Sequence, residues 1–262
     1  MSSRKVFRNA IIGVFAVFAA ILIFDFCRFS IHSIKCWSSE YGPRYYLARC
    51  PQAPIDGYEA EAIYYGIESG MPTAIRNAQV IFLGTSRLEQ AFSTKATADY
   101  FAKQKIRYYV LGFAFQNAGF VLPVLKRRRA SPSLLIVNAD PFFINDQAPE
   151  TRSLVSGGLR IYWALAKKVG LLRLQRAICP NFPSFCSPPM QTLYRSATTG
   201  KLRWRGSYLP EQSIPFTPLL QHDFSDDQFK AAVDFGERFL REIAIHRSFL
   251  LEYRTMGWTH LR

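Results

Sequence analysis

Three short apolar runs, at residues 78–83, 106–111 and 134–138, recur about every 28 residues with helix-capable segments between them. A run of that length, rich in β-branched residues, reads as a strand buried on both faces. Strands that alternate with helices read as right-handed βαβ units, and therefore as a parallel sheet. The first run leads straight into Gly84-Thr85-Ser86-Arg87. That order delivers a serine to the carboxyl edge of the sheet, where ligands and chemistry sit in open α/β folds.

The connecting segments carry their own signals. Ser93 has the chemistry of an N-cap for a helix running to about Lys103. Ala118 to Arg129 reads as a helix with an irregularity at Pro123. It finishes on Lys126-Arg127-Arg128-Arg129, which complements a helix C-terminus as a solvated end. A further helix is expected from Leu159 to about Ala177, with Ile161, Tyr162, Leu165, Val169 and Leu172 near one face. Such a helix packs on the sheet as a lid or flank, or lies on a membrane surface. The Pro-rich stretch from Pro180 to Pro189 and the segment to Pro218 read as insertion loops. Ser225 and Gln228 have capping-box spacing before an apolar stripe through Phe229, Val233 and Ile243, and Ser248–Tyr253 is a candidate fourth strand.

The N-terminus points to a membrane. Arg4, Lys5 and Arg8 precede an uninterrupted apolar run from Ala10 to Phe24. The run is shorter than the ~20 residues a spanning helix usually needs. Snorkelling of Arg8 and Arg28 would lengthen the span. The bulky Phe24-Asp25-Phe26-Cys27 is no small-x-small cleavage site, so an uncleaved signal anchor is expected, with its N-terminus cytoplasmic. The chain thus divides into an anchor (1–29), a juxtamembrane stalk or cap without assigned regular structure (30–75), and an α/β domain (76–262) with an insertion at about 146–222. That domain would lie outside the inner membrane. Beyond Cys27, the cysteines suggest two local disulfide loops, Cys36–Cys50 and Cys179–Cys186, with free buried thiols as the alternative.

A net charge of +14 suits anionic lipid headgroups or an acidic polymer. No nucleic-acid-binding module accompanies it, so no nucleic-acid partner is expected. Neither Gly-x-Gly-x-x-Gly nor a Walker lysine follows the first strand, and no Cys-x-x-Cys or paired histidine is present. No cofactor and no metal are expected.

Strand-Gly84-Thr85-Ser86 resembles the first block of the SGNH (GDSL-type) hydrolases, in which a Gly-Asp-Ser follows the first strand and the serine is the nucleophile. Gly112, after the second strand, falls at the second-block glycine. Asn138, in Val137-Asn138-Ala139-Asp140, falls near the third-block asparagine. The following Pro141-Phe142-Phe143 resembles membrane-anchored SGNH-like proteins that accompany acylation of cell-surface polysaccharides. The resemblance covers residues 76–145, and more loosely the helix from Ser225. It implies a flavodoxin-like three-layer parallel sheet preceded by one transmembrane helix. The activity implied is that of a serine esterase or O-acyltransferase, with acylated polysaccharide or a membrane O-acyltransferase as partner. In that scheme Ser86 attacks, and the Gly112 N–H and Asn138 amide stabilise the oxyanion.

The pattern departs from the family at Thr85, at Ala139 and in its base. The family's late Asp-x-x-His has only His260 as counterpart, with Gly257 three residues before it. His222, before the last helix, and His246, near its end, match by residue type alone. Two expectations follow: a chain cut short of its catalytic histidine, or a fold that has given up hydrolysis and serves as an accessory protein.

Overall fold

The computed structural model describes residues 11–21, 23–24, 36–37, 44–50, 58–113, 118–137, 149–183, 186, 192–204, 207–208, 230 and 234. Helix α1 is described over residues 11–21 and 23–24. There follow β1 (Tyr45–Arg49), α2 (Tyr58–Tyr65), α3 (Met71–Asn77), β2 (Val80–Thr85), α4 (Ser86–Phe92) and α5 (Lys95–Lys103). Next come β3 (Tyr108–Phe113), α6 (Ala118–Arg128), β4 (Leu134–Val137), α7 (Pro149–Ser156) and α8 (Leu159–Ile178), then β5 (Leu193–Ser196), β6 (Leu202–Trp204) and β7 (Ser207–Tyr208).

The three expected apolar strands form one parallel sheet, ordered β3-β2-β4. Val80 lies opposite Tyr108 and Leu134, and the register continues to Gly84 beside Gly112 and Leu83 beside Val137. Successive side chains point to opposite faces, and both faces are covered. Ile81, Leu83, Tyr109, Leu111, Leu135 and Val137 join the core shared with α2, α3 and α6. Val80, Phe82, Tyr108, Val110, Leu134 and Ile136 pack with Leu88 and Phe92 of α4 and Phe101 of α5. On that second face the Phe82 ring lies 4.3 Å from Phe92 and 5.7 Å from Phe101, centroid to centroid. Each large side chain so buried contributes about 2 kcal/mol through apolar area removed from water. Double-sided burial explains why these strands read as continuous apolar runs rather than as alternating ones.

A second, antiparallel sheet has the order β1-β5-β6-β7. Its β5–β6 turn covers the outer edge of β3, where the Val110 N–H donates to the Thr199 carbonyl at 2.9 Å. Gly200 in that turn has φ +70°, and a Cβ there would stand 2.2 Å from the Val110 oxygen. Only glycine allows both the left-handed turn and this backbone approach. An otherwise open strand edge is thereby closed.

Several expectations need correction. Residues 30–75, read as a stalk or cap with no regular structure assigned, contain β1, α2 and the start of α3: β1 pairs with β5, and Tyr58, Ile63, Met71 and Ile75 are buried in the same core as the parallel sheet. The stretch read as insertion loops contains β5, β6 and β7. Thr94, not Ser93, caps α5, its Oγ1 accepting from the Thr97 N–H at 3.2 Å. Ser93 is buried and accepts from the Leu202 N–H at 2.8 Å, which ties β6 to the α4–α5 junction. The basic end of α6 is not simply solvated. Arg128 donates to the carbonyls of Ile63 and Tyr64, which lie in the last turn of α2 and so lack helical partners. The Arg127 guanidinium lies 4.9 Å from the centre of the Tyr64 ring.

Helix α8 forms at its expected place and packs on α2, within the core shared with the parallel sheet. Leu165 and Leu172 are buried, Lys168 pairs with Glu61 at 2.8 Å, and Arg176 pairs with Glu68 at 3.1 Å. Glu68 also accepts from the Tyr58 hydroxyl; burial, then the Glu68 charge, push that phenol above its usual range. Both disulfides are present, Cys36–Cys50 and Cys179–Cys186, with Cα separations of 5.9 and 5.7 Å. Among the described residues, no helix is long and apolar enough to cross a membrane. The apolar side chains of α1, Phe15 and Phe18 among them, are exposed. The expected helix from Ser225, apart from Lys230 and Asp234, and the strand at Ser248–Tyr253 lie outside the described residues.

Candidate functional site

Ser86 is the first residue of α4, directly after Thr85 ends β2, and it is half-buried. β2 is the central strand of its sheet. The chain leaves it for β3 on one side and returns across it to β4 on the other. In a parallel sheet the crevice for ligands opens beyond the carboxyl ends, where the strand order reverses. Ser86 therefore sits at the position that fold geometry favours for chemistry.

Gly112 is placed differently from its expectation. It is the penultimate residue of β3, in register with Gly84, rather than the residue after the strand. A Cβ at Gly112 would fall 2.4 Å from the Glu89 Cβ and 3.0 Å from the Thr85 carbonyl. The bare Cα lets the first turns of α4 settle against β3, so Gly112 governs how the helix that begins with Ser86 meets the sheet. Its carbonyl accepts from Arg195 Nη2 at 2.7 Å. Val137, in register with Leu83, is the last described residue of β4. Asn138 itself lies outside the described residues, as do His260 and the other three histidines, so their sequence-based roles have no geometry here.

Below this edge is a polar cluster that sequence reasoning missed. Arg195, on β5, has a side chain with no exposed surface. Its Nε donates to Glu59 Oε1 of α2 at 2.6 Å. Nη1 donates to the carbonyls of Val110 and Gly200 at 2.9 and 2.8 Å, and Nη2 bonds the Gly112 carbonyl and pairs with Glu89 of α4. Four hydrogen bonds and the Glu89 ion pair thus engage all three nitrogens of the guanidinium fork. Glu59 and Glu89 share this one guanidinium, beside the buried phenols of Tyr46 and Tyr109. Burial raises both phenols well above the usual tyrosine range. For Tyr46 the neighbouring Tyr109 adds to the rise, Arg195 works against it, and Glu59 adds a smaller contribution. Both rings therefore stay neutral.

Nothing in Leu193-Tyr194-Arg195-Ser196 announces an interior arginine. The one available clue is Glu89, which shares a helix face with Ser86 at i+3 and is apolar-flanked by Leu88. With Ser86, Gly112, Glu89 and Arg195 in place, this edge can present a hydroxyl on a rigid turn whose helix is pinned from below. Comparison with protein-family models, with curated proteins and with solved structures yields no match.

Proposed function

We propose that this chain is a membrane-anchored, SGNH-like esterase or O-acyltransferase acting on acylated envelope polysaccharide. The observation that carries the reading is the position of Ser86: first residue of a helix, at the carboxyl end of the central strand, in a sheet ordered β3-β2-β4. A flavodoxin-like three-layer sheet has that order around its first strand. Helices on both faces are consistent with it. In this reading the Ser86 hydroxyl attacks an ester carbonyl and His260 takes its proton. The alcohol departs with that proton, and water or a sugar hydroxyl then takes the acyl group from the serine. Gly112 and Asn138 line the oxyanion side. The two disulfides support an oxidising, extracytoplasmic location, with residues 10–24 as the anchor.

The test is trapping of the folded, full-length protein with a serine-reactive fluorophosphonate. Wild type is expected to label and Ser86→Ala to lose the label while keeping its melting temperature. A folded wild-type protein that takes no label overturns the enzymatic reading.

A second reading is favoured by a specific feature of the sequence, the absence of an acid three residues before His260. A serine without an activated base is a weak nucleophile. The chain would then be a non-catalytic accessory protein that binds polysaccharide or a membrane O-acyltransferase. Full complementation of a deletion strain by Ser86→Ala, with no complementation by a chain lacking residues 1–27, is its expected signature.

A further inference from the structure

Helix α8 carries five basic residues and no acidic one: Arg160, Lys167, Lys168, Arg173 and Arg176. The fold sorts these charges. Lys168 turns toward Glu61 of α2, and Arg176 toward Glu68 in the connection between α2 and α3, and each is paired there. Arg160, Lys167 and Arg173 are exposed on the remaining face. A helix that buries one apolar stripe ordinarily shows a polar surface opposite it. α8 does not. Leu159, Trp163, Ala166, Gly170 and Ala177 are all exposed and fall along one line of the helix, at i, i+4, i+7, i+11 and i+18. Leu159 is 87% exposed and Trp163 59% exposed, which are high values for large apolar side chains in a folded protein. Tyr162 and Phe182 extend the apolar surface at the two ends. Lys167 Nζ stands 5.7 Å from the Trp163 ring, so the cation borders the stripe rather than crossing it.

We infer that the outward face of α8 docks on a membrane surface containing anionic lipid headgroups. An apolar stripe with a tryptophan and with basic residues along its borders is the pattern of a helix lying in the interfacial plane. The indole settles at the headgroup boundary, and the cations meet lipid phosphates. Charge complementarity selects this occupant. A nucleic acid would leave Leu159 and Trp163 without a partner. A protein partner would need its own acidic rim around an apolar ridge, whereas an anionic bilayer offers both in one surface. The chain's net charge of +14 draws it in the same direction. Docking through α8 would hold the domain in a fixed orientation against the bilayer, and it does not depend on whether Ser86 reacts.

The experiment uses the full-length protein with phosphatidylcholine vesicles and with vesicles that also contain phosphatidylglycerol. Subtracting the emission of Trp163→Phe isolates the signal of Trp163, and both proteins should share one urea midpoint because the side chain is exposed. In the anionic vesicles that signal is expected to shift to the blue and to be quenched by brominated lipid. In phosphatidylcholine alone neither change is expected. The triple variant Arg160→Glu, Lys167→Glu, Arg173→Glu is expected to lose the quenching while still floating with the vesicles through its N-terminal segment. A Trp163 signal untouched by brominated lipid overturns the inference, and so does quenching equal in both vesicle types. Flotation is scored separately, so failure of α8 to dock is distinguishable from failure of the N-terminal segment to anchor.

Discussion

Gly112 illustrates how one missing side chain sets the geometry of the candidate site. Its Cα faces the Cβ of Glu89, and a methyl group there would stand 2.4 Å from it. Gly112→Ala must push α4 away from β3, and overpacking of this kind costs about 1–3 kcal/mol. The expected result is a lower urea midpoint together with slower fluorophosphonate labelling, since Ser86 begins the displaced helix. An alanine variant as stable as wild type, with an unchanged labelling rate, would show that α4 is not held by this contact. The sequence places Gly112 after the second strand, whereas it lies inside β3, paired with Gly84. The need for a bare Cα lies in Glu89, whose approach depends on how α4 packs.

Among elements, Arg195 has the widest reach. From β5 it contacts α2 through Glu59, α4 through Glu89, and β3 through two carbonyls. Removing a buried charge while its partners remain is strongly destabilising, by about 3–5 kcal/mol, because the carboxylates lose their compensation. Arg195→Met is expected to show a loss of that size in urea denaturation. Combining it with Glu59→Gln and Glu89→Gln should recover part of the loss, because the partners form one network and their effects are not additive. A single-variant loss below about 1 kcal/mol would refute the linking role. α8 makes a related point. Its position was legible from its inner stripe, yet its charge sorting was not, since Glu61 on α2 and Glu68 just after that helix lie roughly a hundred residues earlier.

At the scale of the whole molecule, the two sheets share one core. Tyr46 and Tyr194 of the antiparallel sheet pack in the same cluster as Ile81 and Leu111 of the parallel one. The β5–β6 turn is hydrogen-bonded to β3, and Ser93 to β6. Elements joined this closely are expected to unfold together. Urea transitions followed by near-UV and far-UV circular dichroism should coincide, and reduction of the disulfides should move both by the same amount. Closing the 14-residue separation between Cys36 and Cys50 contributes about 3 kcal/mol by loop entropy. Two separated transitions would mean that the antiparallel sheet is an independent unit.

The residues alone determined the parallel strands, the serine at their carboxyl edge and helix α8, and they suggested the pairing of neighbouring cysteines. Each of these rests on local information: apolar runs long enough to be buried, a periodic stripe, or two thiols close in the chain. The tertiary structure alone decided the second sheet, the place of Gly112 inside β3 and the fate of Arg195. β1 and β5 are short strands whose partners are far apart in the chain, Tyr45 lying opposite Ser196. Five residues with mixed burial carry too little periodicity to be recognised without that partner. A buried arginine likewise looks the same in sequence as an exposed one. Only the fold brings Glu59, Glu89 and three carbonyls around it, and only such a complete set of partners makes its burial affordable.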